Sequence, residues 1–399
     1  MMRTTGIDRA ALREGLAKAG ADAWLLYDFH GVNPVLGRVL GIGGMGTRRL
    51  FVLLPADGEP VAVAHKIELQ PLEGFAGRVV PYARWEELHA ALGPLVYGKT
   101  LAMEISPEDA VPYLDRVPHG VVQLITRLGG TVVPSGPLVT TFAARWSPGE
   151  LADHLAAAEI VASVARAALA QAVNEGGTGL RETALQARLV RALEDRGLVL
   201  DTLPIVGFGA NAVNPHYEPE AGRDAVLERE QVVLLDLWAG RSRETVFADQ
   251  TWMGFSGARP PAKVAEVWRV VRDARDAAIA AIQDAVRAGR PVSGFDGDRA
   301  ARGVIERAGY GASFVHRTGH SIDRDLHGSG PHLDDYETHD DRLLVPGVGF
   351  SVEPGIYLPG EFGVRSEVNM YWGEAGAVVT PAAPQAALIT PLSKVPGAH

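Results

Sequence analysis

The 399-residue chain contains no cysteine, which excludes disulfide bonds and every metal site built on thiolates. It also has no run of eighteen apolar residues, so we expect no membrane-spanning helix. The formal net charge is -10 and no lysine and arginine cluster offsets it locally, which argues against a nucleic acid or an anionic membrane as partner. Hydrophobic residues make up 47% of the chain and charged residues 22%, which is an ordinary globular composition. The chain is long enough for two or three domains.

The N-terminal residues 1–16, MMRTTGIDRAALREGL, carry charges throughout and lack the apolar core of a signal peptide. We therefore expect a cytoplasmic protein. Any metal ion in it must be held by histidine and carboxylate ligands, because thiolates are absent.

Residues 1–145 show an alternation of short helices and strands that predicts a small α/β domain. Asp8 to Gly20 has the pattern of a capped helix, with Asp8 as N-cap and Gly20 as its end. The strand ADAWLLYDF follows, and LFVLLPADGEPVAVAH is typical of a hairpin that turns at Asp57-Gly58. Helical WEELHAAL and the strand KTLAMEI continue the pattern. The histidines and acids of this part are scattered, and we interpret each as structural or solvated.

The glycine-rich run GIGGMG, Gly41 to Gly46, formally matches the fingerprint of dinucleotide-binding proteins. That fingerprint requires a helix directly afterwards, whose N-terminus meets the pyrophosphate. Here a strand-like segment, TRRLFVLLP, follows instead. We therefore interpret the run as a flexible loop.

A second domain, residues 146–399, begins with a strong helix start. Ser147 is a suitable N-cap, Pro148 suits the first helical position, and Glu150 completes a capping box. Long helical patterns then alternate with pairs of strand-like runs joined by short turns, and strands joined in this way are antiparallel. This predicts an α+β domain whose sheet is covered on one side by helices.

Metal-ligand side chains are concentrated on short segments of this second domain. Two carboxylates about 4 Å apart repel by roughly 4 kcal/mol at an effective dielectric near 20, so several of them converge only if divalent cations lie between them. Each residue alone has a simpler interpretation, because a single strand Asp is usually an ion-pair residue and a single His usually structural. Together they predict a two-metal hydrolase, with the ligand residues Asp236, Asp249, His320, Glu353 and Glu367.

Strand periodicity supports this interpretation. Alternate residues of a strand share a face, so Asp249 should point with Thr251, and Glu367 with Arg365 and Asn369. Glu353 precedes Pro354, which has no amide donor and usually ends a strand. We therefore expect the Glu353 side chain at a strand end, facing a cleft.

Nearly the whole chain resembles the creatinase/aminopeptidase P/prolidase group of metallopeptidases, which have the pita-bread fold. YDFHGVNPVLG is typical of the creatinase-like N-terminal domain that precedes the catalytic domain in this group. The catalytic-domain motifs occur in the order of the family, and EPGIY followed by GVRSE is the most specific of them. They are PIVGFGANAVNPHYEP, LLDLWAG, FADQT, HRTGHSID, DLHGSGP, FSVEPGIY and GVRSE.

The resemblance implies roles for these residues. Asp236 would chelate one metal ion, His320 and Glu353 the other, and Asp249 and Glu367 would bridge both. A water or hydroxide that bridges the ions would be the nucleophile, and Glu353 would manage its proton.

Three histidines match family positions around the substrate. His216 and His327 would hydrogen-bond the scissile peptide or its tetrahedral intermediate, and His316 would line the pocket. Without the resemblance, each would be interpreted as structural.

Arg365 is the candidate for substrate specificity, because it lies two positions before Glu367. A guanidinium there could bind the free carboxylate of a short peptide, a contact worth roughly 1.5–3 kcal/mol. The alternative, that Arg365 only neutralises neighbouring carboxylates, is equally compatible with the sequence.

The chain departs from the family pattern at several positions next to the ligands, although all five ligands are kept. Val246 stands where tyrosine is common in the family. After the second aspartate, Asp249, the family has Thr-Arg-Thr, whereas this chain has Thr251-Trp252-Met253. Ser321 and Asp323 stand where glycines are frequent, and Val368 replaces an acid. The separation of 13 residues between Asp236 and Asp249 is also longer than usual.

The function implied by the resemblance is hydrolysis of the Xaa-Pro bond of dipeptides, as in prolidase. Aminopeptidase P activity on longer peptides and a non-enzymatic pita-bread binding module remain the alternatives. Creatinase activity is disfavoured because creatinase works without metal. The ligand set favours Mn²⁺, with Co²⁺, Fe²⁺ or Zn²⁺ also suitable, and family analogy implies a homodimer.

Overall fold

The computed structural model of the chain describes residues 7–42 and 46–393, and the chain divides after Arg145 into two compact units. The strands of the first unit form one mixed sheet, and helices pack on both of its faces. Its strands are β1 Ala23–Asp28, β2 Leu50–Pro55, β3 Val61–His65, β4 Arg78–Tyr82, β5 Thr100–Met103 and β6 Thr131–Pro134. Its helices are α1 Arg9–Ala19, α2 Pro34–Leu40, α3 Trp85–Val96, α4 His119–Arg127 and α5 Gly136–Phe142.

The sheet of the first unit has the strand order β4-β3-β2-β1-β5-β6. The central strand β1 is antiparallel to β2 and parallel to β5. Its side chains alternate between two apolar cores. Trp24 and Leu26 join the core under α1, α2 and α5, and Leu25 and Tyr27 join the core under α3 and α4. A strand buried on both faces explains the continuous apolar run AWLLY.

Local signals placed the first elements well. The Asp8 side chain accepts hydrogen bonds from the backbone nitrogens of Ala10 and Ala11, and Gly20 ends α1 in the left-handed conformation with φ 65°. The hairpin predicted at Asp57-Gly58 joins β2 to β3. Of the glycine-rich run, residues 43–45 lie outside the described part of the chain, and the segment after it leads into strand β2 rather than a helix.

Within residues 146–393, the second unit contains long helices and three antiparallel sheets, ordered β7-β8-β9, β10-β11-β14-β15 and β12-β13. Its helices are α6 Pro148–Ala172, α7 Glu182–Glu194, α8 Ala262–Arg287 and α9 Gly294–Arg307. Its strands are β7 Ile205–Phe208, β8 Val232–Ala239, β9 Ala248–Phe255, β10 Ser321–Ile322, β11 Gly349–Val352, β12 Gly355–Leu358, β13 Phe362–Arg365, β14 Val368–Gly373 and β15 Gly376–Thr380.

Helix α6 begins at the predicted capping box. The Ser147 side chain accepts a hydrogen bond from the Glu150 backbone nitrogen, and the Glu150 side chain accepts one from the Ser147 backbone nitrogen. Among the described residues, α6 alone is long and apolar enough to cross a membrane, judged by length and composition. Its apolar side chains, however, pack with those of α7, β8 and β9 in one core. This packing accounts for its composition.

One strand prediction was wrong in detail. Strand periodicity was expected to hold from Arg365 through Glu367 to Asn369, but the strand is interrupted at Ser366 and Glu367. The part before the interruption, β13, pairs with β12, and the part after it, β14, pairs with β11 and β15. The chain therefore changes sheets at the predicted ligand Glu367, a change that depends on pairing partners distant in sequence.

A carboxylate without access to solvent lies in the first unit. Glu104 is fully buried, and it accepts hydrogen bonds from Trp24 Nε1 at 2.6 Å, Asn33 Nδ2 at 2.8 Å and Ser135 Oγ at 2.9 Å. Burial raises the pKa of Glu104, and these three hydrogen bonds oppose the rise without cancelling it. The group therefore joins β1, β5 and the start of α5 at an electrostatic cost that depends on pH.

We predict that the stability of the wild type relative to Glu104→Gln declines as the pH rises. A carboxyl whose folded pKa exceeds its unfolded value contributes fully below the unfolded pKa and loses that contribution as the pH passes the folded pKa. The decline should be up to about 1.4 kcal/mol for each pH unit between the two pKa values. Urea unfolding of both proteins between about pH 5 and about pH 8 measures it. An increase over this range would mean that the three hydrogen bonds outweigh burial.

Candidate metal centre

The five predicted ligand residues lie in strands of the second unit or directly beside them. Asp236 lies in β8 and Asp249 in β9, and the strand register pairs Asp236 with Thr251. The other three flank strands rather than lie within them. They are His320 before β10, Glu353 after β11 and Glu367 before β14.

These side chains form one cluster. His320 Nε2 lies 3.4 Å from Asp249 Oδ2 and 3.5 Å from Glu353 Oε1. Ligand atoms of Asp249, His320 and Glu367 all lie within 4.8 Å of one another. Thr251 Oγ1 connects the remaining acid, at 3.2 Å from Asp236 Oδ1 and 2.8 Å from Glu367 Oε2. The structure thus brings together all five residues that the sequence singled out.

Two side chains fix the backbone of this cluster. Asn369 accepts a hydrogen bond from the Asp249 backbone nitrogen at 2.9 Å and donates one to its carbonyl oxygen at 2.8 Å. Ser351 Oγ accepts one from the His320 backbone nitrogen at 2.9 Å and donates one to Glu353 Oε1 at 3.1 Å. Strand periodicity had placed Asn369 on the same face as Glu367, but it did not reveal that Asn369 binds the backbone of Asp249 or that Ser351 binds that of His320.

The acids of the cluster resist ionisation. Burial raises the pKa of Asp236 to about 7, even though Arg365 lowers it, and Asp249 and Glu353 raise it further. Burial and the neighbouring carboxylates raise the pKa of Glu367 well above its ordinary value. Glu353 differs, because His320 and other positive neighbours outweigh its burial and lower its pKa. For most of these acids, the positive charge of neighbouring side chains is therefore too small to offset burial and the repulsion between the carboxylates.

Two carboxylate oxygens of the cluster are buried without a hydrogen-bond partner, Asp249 Oδ1 and Glu367 Oε1. A buried carboxylate oxygen normally accepts hydrogen bonds or binds a cation, since leaving it unpaired is costly. Both oxygens belong to residues predicted to bridge two metal ions. The donor set of carboxylates and one imidazole suits divalent cations of intermediate or hard character. The residues therefore fit the metal ions implied by the sequence.

Arg365 is buried, with 3% of its surface exposed, and its guanidinium is bound to protein groups. It forms an ion pair with Asp236 through Nη2 and donates a hydrogen bond from Nε to Thr251 Oγ1 at 2.8 Å. Its Nη1 donates to the Pro215 carbonyl oxygen at 3.3 Å. This arrangement favours the second interpretation of Arg365, in which it neutralises carboxylates, over the binding of a substrate carboxylate.

The three predicted substrate histidines occupy different environments. The ring of His327 lies 4.3 Å from that of His320, edge to face, although the His327 side chain remains exposed. Burial of its inner side and the charge of His320 lower the pKa of His327, and His216 is near enough to lower it further. His316 Nε2 lies 2.8 Å from Tyr357 Oη, and burial lowers the pKa of His316 to about 4. The rings of His327 and His316 are therefore neutral near pH 7.

Asp323 and Ser321, two residues that depart from the family pattern, bind backbone groups of the loop that carries His327. Asp323 accepts hydrogen bonds from the backbone nitrogens of Asp325 at 2.9 Å and Ser329 at 3.0 Å. Ser321 Oγ accepts one from the Gly330 backbone nitrogen at 3.0 Å. Side chains at positions where glycines are frequent thus give this loop internal partners.

The remaining departures are accommodated in the core. Val246 packs with Trp146 and Ile322, and Val368 is buried in β14. Trp252 is buried and donates a hydrogen bond to Gln250 Oε1 at 2.9 Å. These substitutions therefore leave the ligand cluster intact. The partnership of Tyr357 with His316 was missed, since no sequence signal connects them.

Comparison with known proteins agrees with this geometry. The profile of metallopeptidase family M24 matches residues 153–374, more than half of the chain. The probable dipeptidase PepE of Mycobacterium tuberculosis is 28% identical over 351 residues, covering 87% of each chain. An Xaa-Pro dipeptidase of Lactobacillus delbrueckii subsp. lactis is 36% identical over 191 residues, covering 47% of this chain and 48% of that protein.

Solved structures extend the likeness to nearly the whole chain. A prolidase from Thermococcus sibiricus has a TM-score of 0.67 and 25% identity, covering 98% of this chain and 100% of its own. The dipeptidase PepE of Mycobacterium ulcerans has a TM-score of 0.70 and 24% identity over 96% of both chains. The predicted α+β pita-bread fold is thus confirmed. By its sequence, its fold and its buried cluster of acids around one histidine, the chain belongs to metallopeptidase family M24, the creatinase/aminopeptidase P/prolidase group.

Proposed function

We propose that this metallopeptidase hydrolyses the Xaa-Pro bond of dipeptides with the help of two divalent metal ions. The observation that carries the proposal is the cluster of four acids and one histidine, in which two buried carboxylate oxygens lack hydrogen-bond partners. Such a site has a clear use in metal-assisted hydrolysis and costs stability otherwise.

The choice of dipeptides is supported by the relatives rather than by Arg365. The Mycobacterium tuberculosis relative that matches 87% of the chain is named a probable dipeptidase, and the Lactobacillus delbrueckii relative that matches about half is named an Xaa-Pro dipeptidase. A guanidinium already bound to Asp236 is a poor receptor for a peptide carboxylate. The position of proline after the scissile bond is therefore proposed from the relatives alone.

Asp236, Asp249, His320, Glu353 and Glu367 are the residues proposed to hold the metal ions, and by the family resemblance Asp249 and Glu367 would contact both of them. Divalent ions held there supply positive charge that polarises the substrate carbonyl and lowers the pKa of a water molecule. The proposal includes Mn²⁺ as the metal, because one imidazole among carboxylates suits a fairly hard ion.

Glu353 is proposed to accept the proton of the attacking water. Its carboxylate lies at a strand end, and divalent cations held beside it would keep it ionised and able to accept a proton. Ser351 Oγ holds one of its oxygens at 3.1 Å, which fixes the orientation of the group.

The histidines are proposed to orient the substrate. A neutral imidazole offers one donor and one acceptor, which suits His327 and His316 for hydrogen bonding to a peptide group. Their pKa values are lowered by burial, so both remain neutral across the physiological range. His216 would act on the same cleft from the side of His327.

Family resemblance also implies a cytoplasmic homodimer, and we retain both as part of the proposal. Analytical ultracentrifugation of the purified chain measures the oligomeric state directly. A monomer at micromolar concentration would remove the dimer from the proposal without affecting the metal centre.

We predict that Mn²⁺ stabilises the chelator-treated protein against heat. A ligand at 100 times its dissociation constant adds about 2.7 kcal/mol to the free energy of unfolding. Asp249→Ala should lose this stabilisation and all detectable turnover while keeping its far-ultraviolet circular dichroism spectrum. Thermal melts with and without Mn²⁺, Co²⁺ or Zn²⁺ check this. Wild-type melting temperatures that are the same with and without each metal ion would contradict the proposed metal centre.

We predict that the Mn²⁺-loaded enzyme cleaves Ala-Pro faster than Ala-Pro-Ala and faster than Ala-Ala, each by about tenfold or more in kcat/KM, or about 1.4 kcal/mol in the transition state. Released amino acids are measured by chromatography. Preference for Ala-Pro-Ala, with Pro-Ala as product, would support aminopeptidase P activity instead. Absence of cleavage of every peptide by the metal-loaded protein would support a binding module.

We predict that Arg365→Ala lowers kcat/KM for dipeptides and tripeptides by a similar factor, on the order of 10- to 100-fold. The substitution removes the guanidinium that holds the proposed ligand Asp236 in place. Arg365→Lys, which keeps the charge, serves as the matched variant and should lose less. A loss confined to the dipeptide would instead support binding of the substrate carboxylate by Arg365.

A further inference from the structure

The segment that carries two of the site histidines has little regular structure of its own. Between the 3-10 turn Gly311–Ser313 and the two-residue strand β10, residues 314–320 form no helix or extended strand. Such a segment needs other groups to satisfy its backbone and to fix its path. In this chain helix α9 supplies several of those groups, and Leu333, Glu337 and Ser351 supply others.

An ion pair supplies the groups that come from α9. Arg302 Nε and Nη2 donate to the two carboxylate oxygens of Asp298, at 2.8 Å and 3.0 Å. The Asp298 side chain is inaccessible to solvent, and only 11% of the Arg302 side chain is exposed. The guanidinium also lies over the rings of Phe314 and Tyr336, at 4.1 Å and 4.2 Å from their centroids. The pair is therefore held rigidly from several sides.

Both members of the pair bind the backbone of the histidine segment. Arg302 Nη1 donates to the Phe314 carbonyl oxygen at 3.1 Å, and Nη2 donates to that of His316 at 2.8 Å. Asp298 Oδ1 accepts from Thr318, at 2.9 Å from its backbone nitrogen and 2.7 Å from its hydroxyl. The pair thus anchors every second residue from position 314 to position 318.

The anchored segment in turn meets the ligand Glu353. The Thr318 carbonyl oxygen accepts a hydrogen bond from the Glu353 backbone nitrogen at 2.7 Å. One residue further on, a Cβ at Gly319 would lie 2.0 Å from the Ser351 carbonyl oxygen, so the segment runs directly against β11. His320 and Glu353 therefore share one support, although neither is bonded to Asp298 or Arg302 in the contacts described above.

We propose that Asp298 and Arg302 are positioning residues for the metal centre, and that they set its affinity for divalent cations through residues 314–320. The inference rests on the proposed metal-dependent function. A support of this kind typically contributes 10- to 100-fold to metal affinity or activity. The pair orients His320 and Glu353 and does not contact the substrate.

Calorimetric titration of the chelator-treated protein with Mn²⁺ tests the proposal. Arg302→Gln should weaken Mn²⁺ binding by about 10- to 100-fold. Arg188→Gln is the control, because Arg188 also forms a two-point ion pair, with Glu175 at 2.6 Å and 3.1 Å, although that pair is more exposed and lies away from the site. It should bind Mn²⁺ as the wild type does. Wild-type affinity in a folded Arg302→Gln protein would overturn the proposal.

A second pair of variants guards against loss of folding. Thr318→Val keeps the volume but removes the hydroxyl that donates to Asp298, and Thr318→Ser retains that hydroxyl. The valine variant should bind Mn²⁺ about tenfold more weakly, and the serine variant should stay within about threefold of the wild type, below the usual range for losing such a support. Equal affinities of the two would also overturn the proposal.

These measurements separate positioning from general stabilisation. A purely structural pair would lower the melting temperature of the metal-free variants and leave the Mn²⁺ affinity at 25 °C unchanged. They are also independent of peptide hydrolysis. If the wild type binds Mn²⁺ but cleaves no dipeptide, the proposed function fails, and the Mn²⁺ affinities still decide the role of Asp298 and Arg302.

Discussion

Like charges buried together are the constraint on which this catalytic unit depends. Four acids approach one another in a region from which solvent is largely excluded, and burial raises the pKa of Asp236, Asp249 and Glu367. Arg365 compensates on one side and His320 on the other. Two oxygens remain without partners, which leaves the cluster short of positive charge until cations bind.

The fold meets this constraint by placing the acids on paired strands or directly beside them. Asp236 and Asp249 lie on paired strands, and the other ligands flank strands whose pairing fixes their position. Asn369 and Ser351 then hold ligand segments across the sheets. Repulsion between the ligands is thus opposed by backbone hydrogen bonds that do not depend on the metal.

Substitutions near the site follow the same logic. Ser321 and Asp323 supply hydrogen bonds inside the loop of His327, where glycine would leave the buried backbone nitrogens of Ser329 and Gly330 without these partners. Val246 and Trp252 fill apolar space. The altered positions thus adjust the surroundings of the cleft, and the charges of the cluster stay the same.

Much was determined by the sequence itself, because its signals act over a few residues. Asp8 and Gly20 fix a helix through their own side chain and backbone, and Ser147 with Glu150 begins another. The five proposed ligand residues were likewise singled out from the sequence, since costly acids on apolar strands imply a cation, and the structure places their side chains together. Tertiary structure alone decided that Arg365 pairs with Asp236, that the strand is interrupted at Glu367, and that Asp298 and Arg302 anchor the histidine segment. Each of these depends on contacts between residues far apart in the chain, which no local pattern encodes.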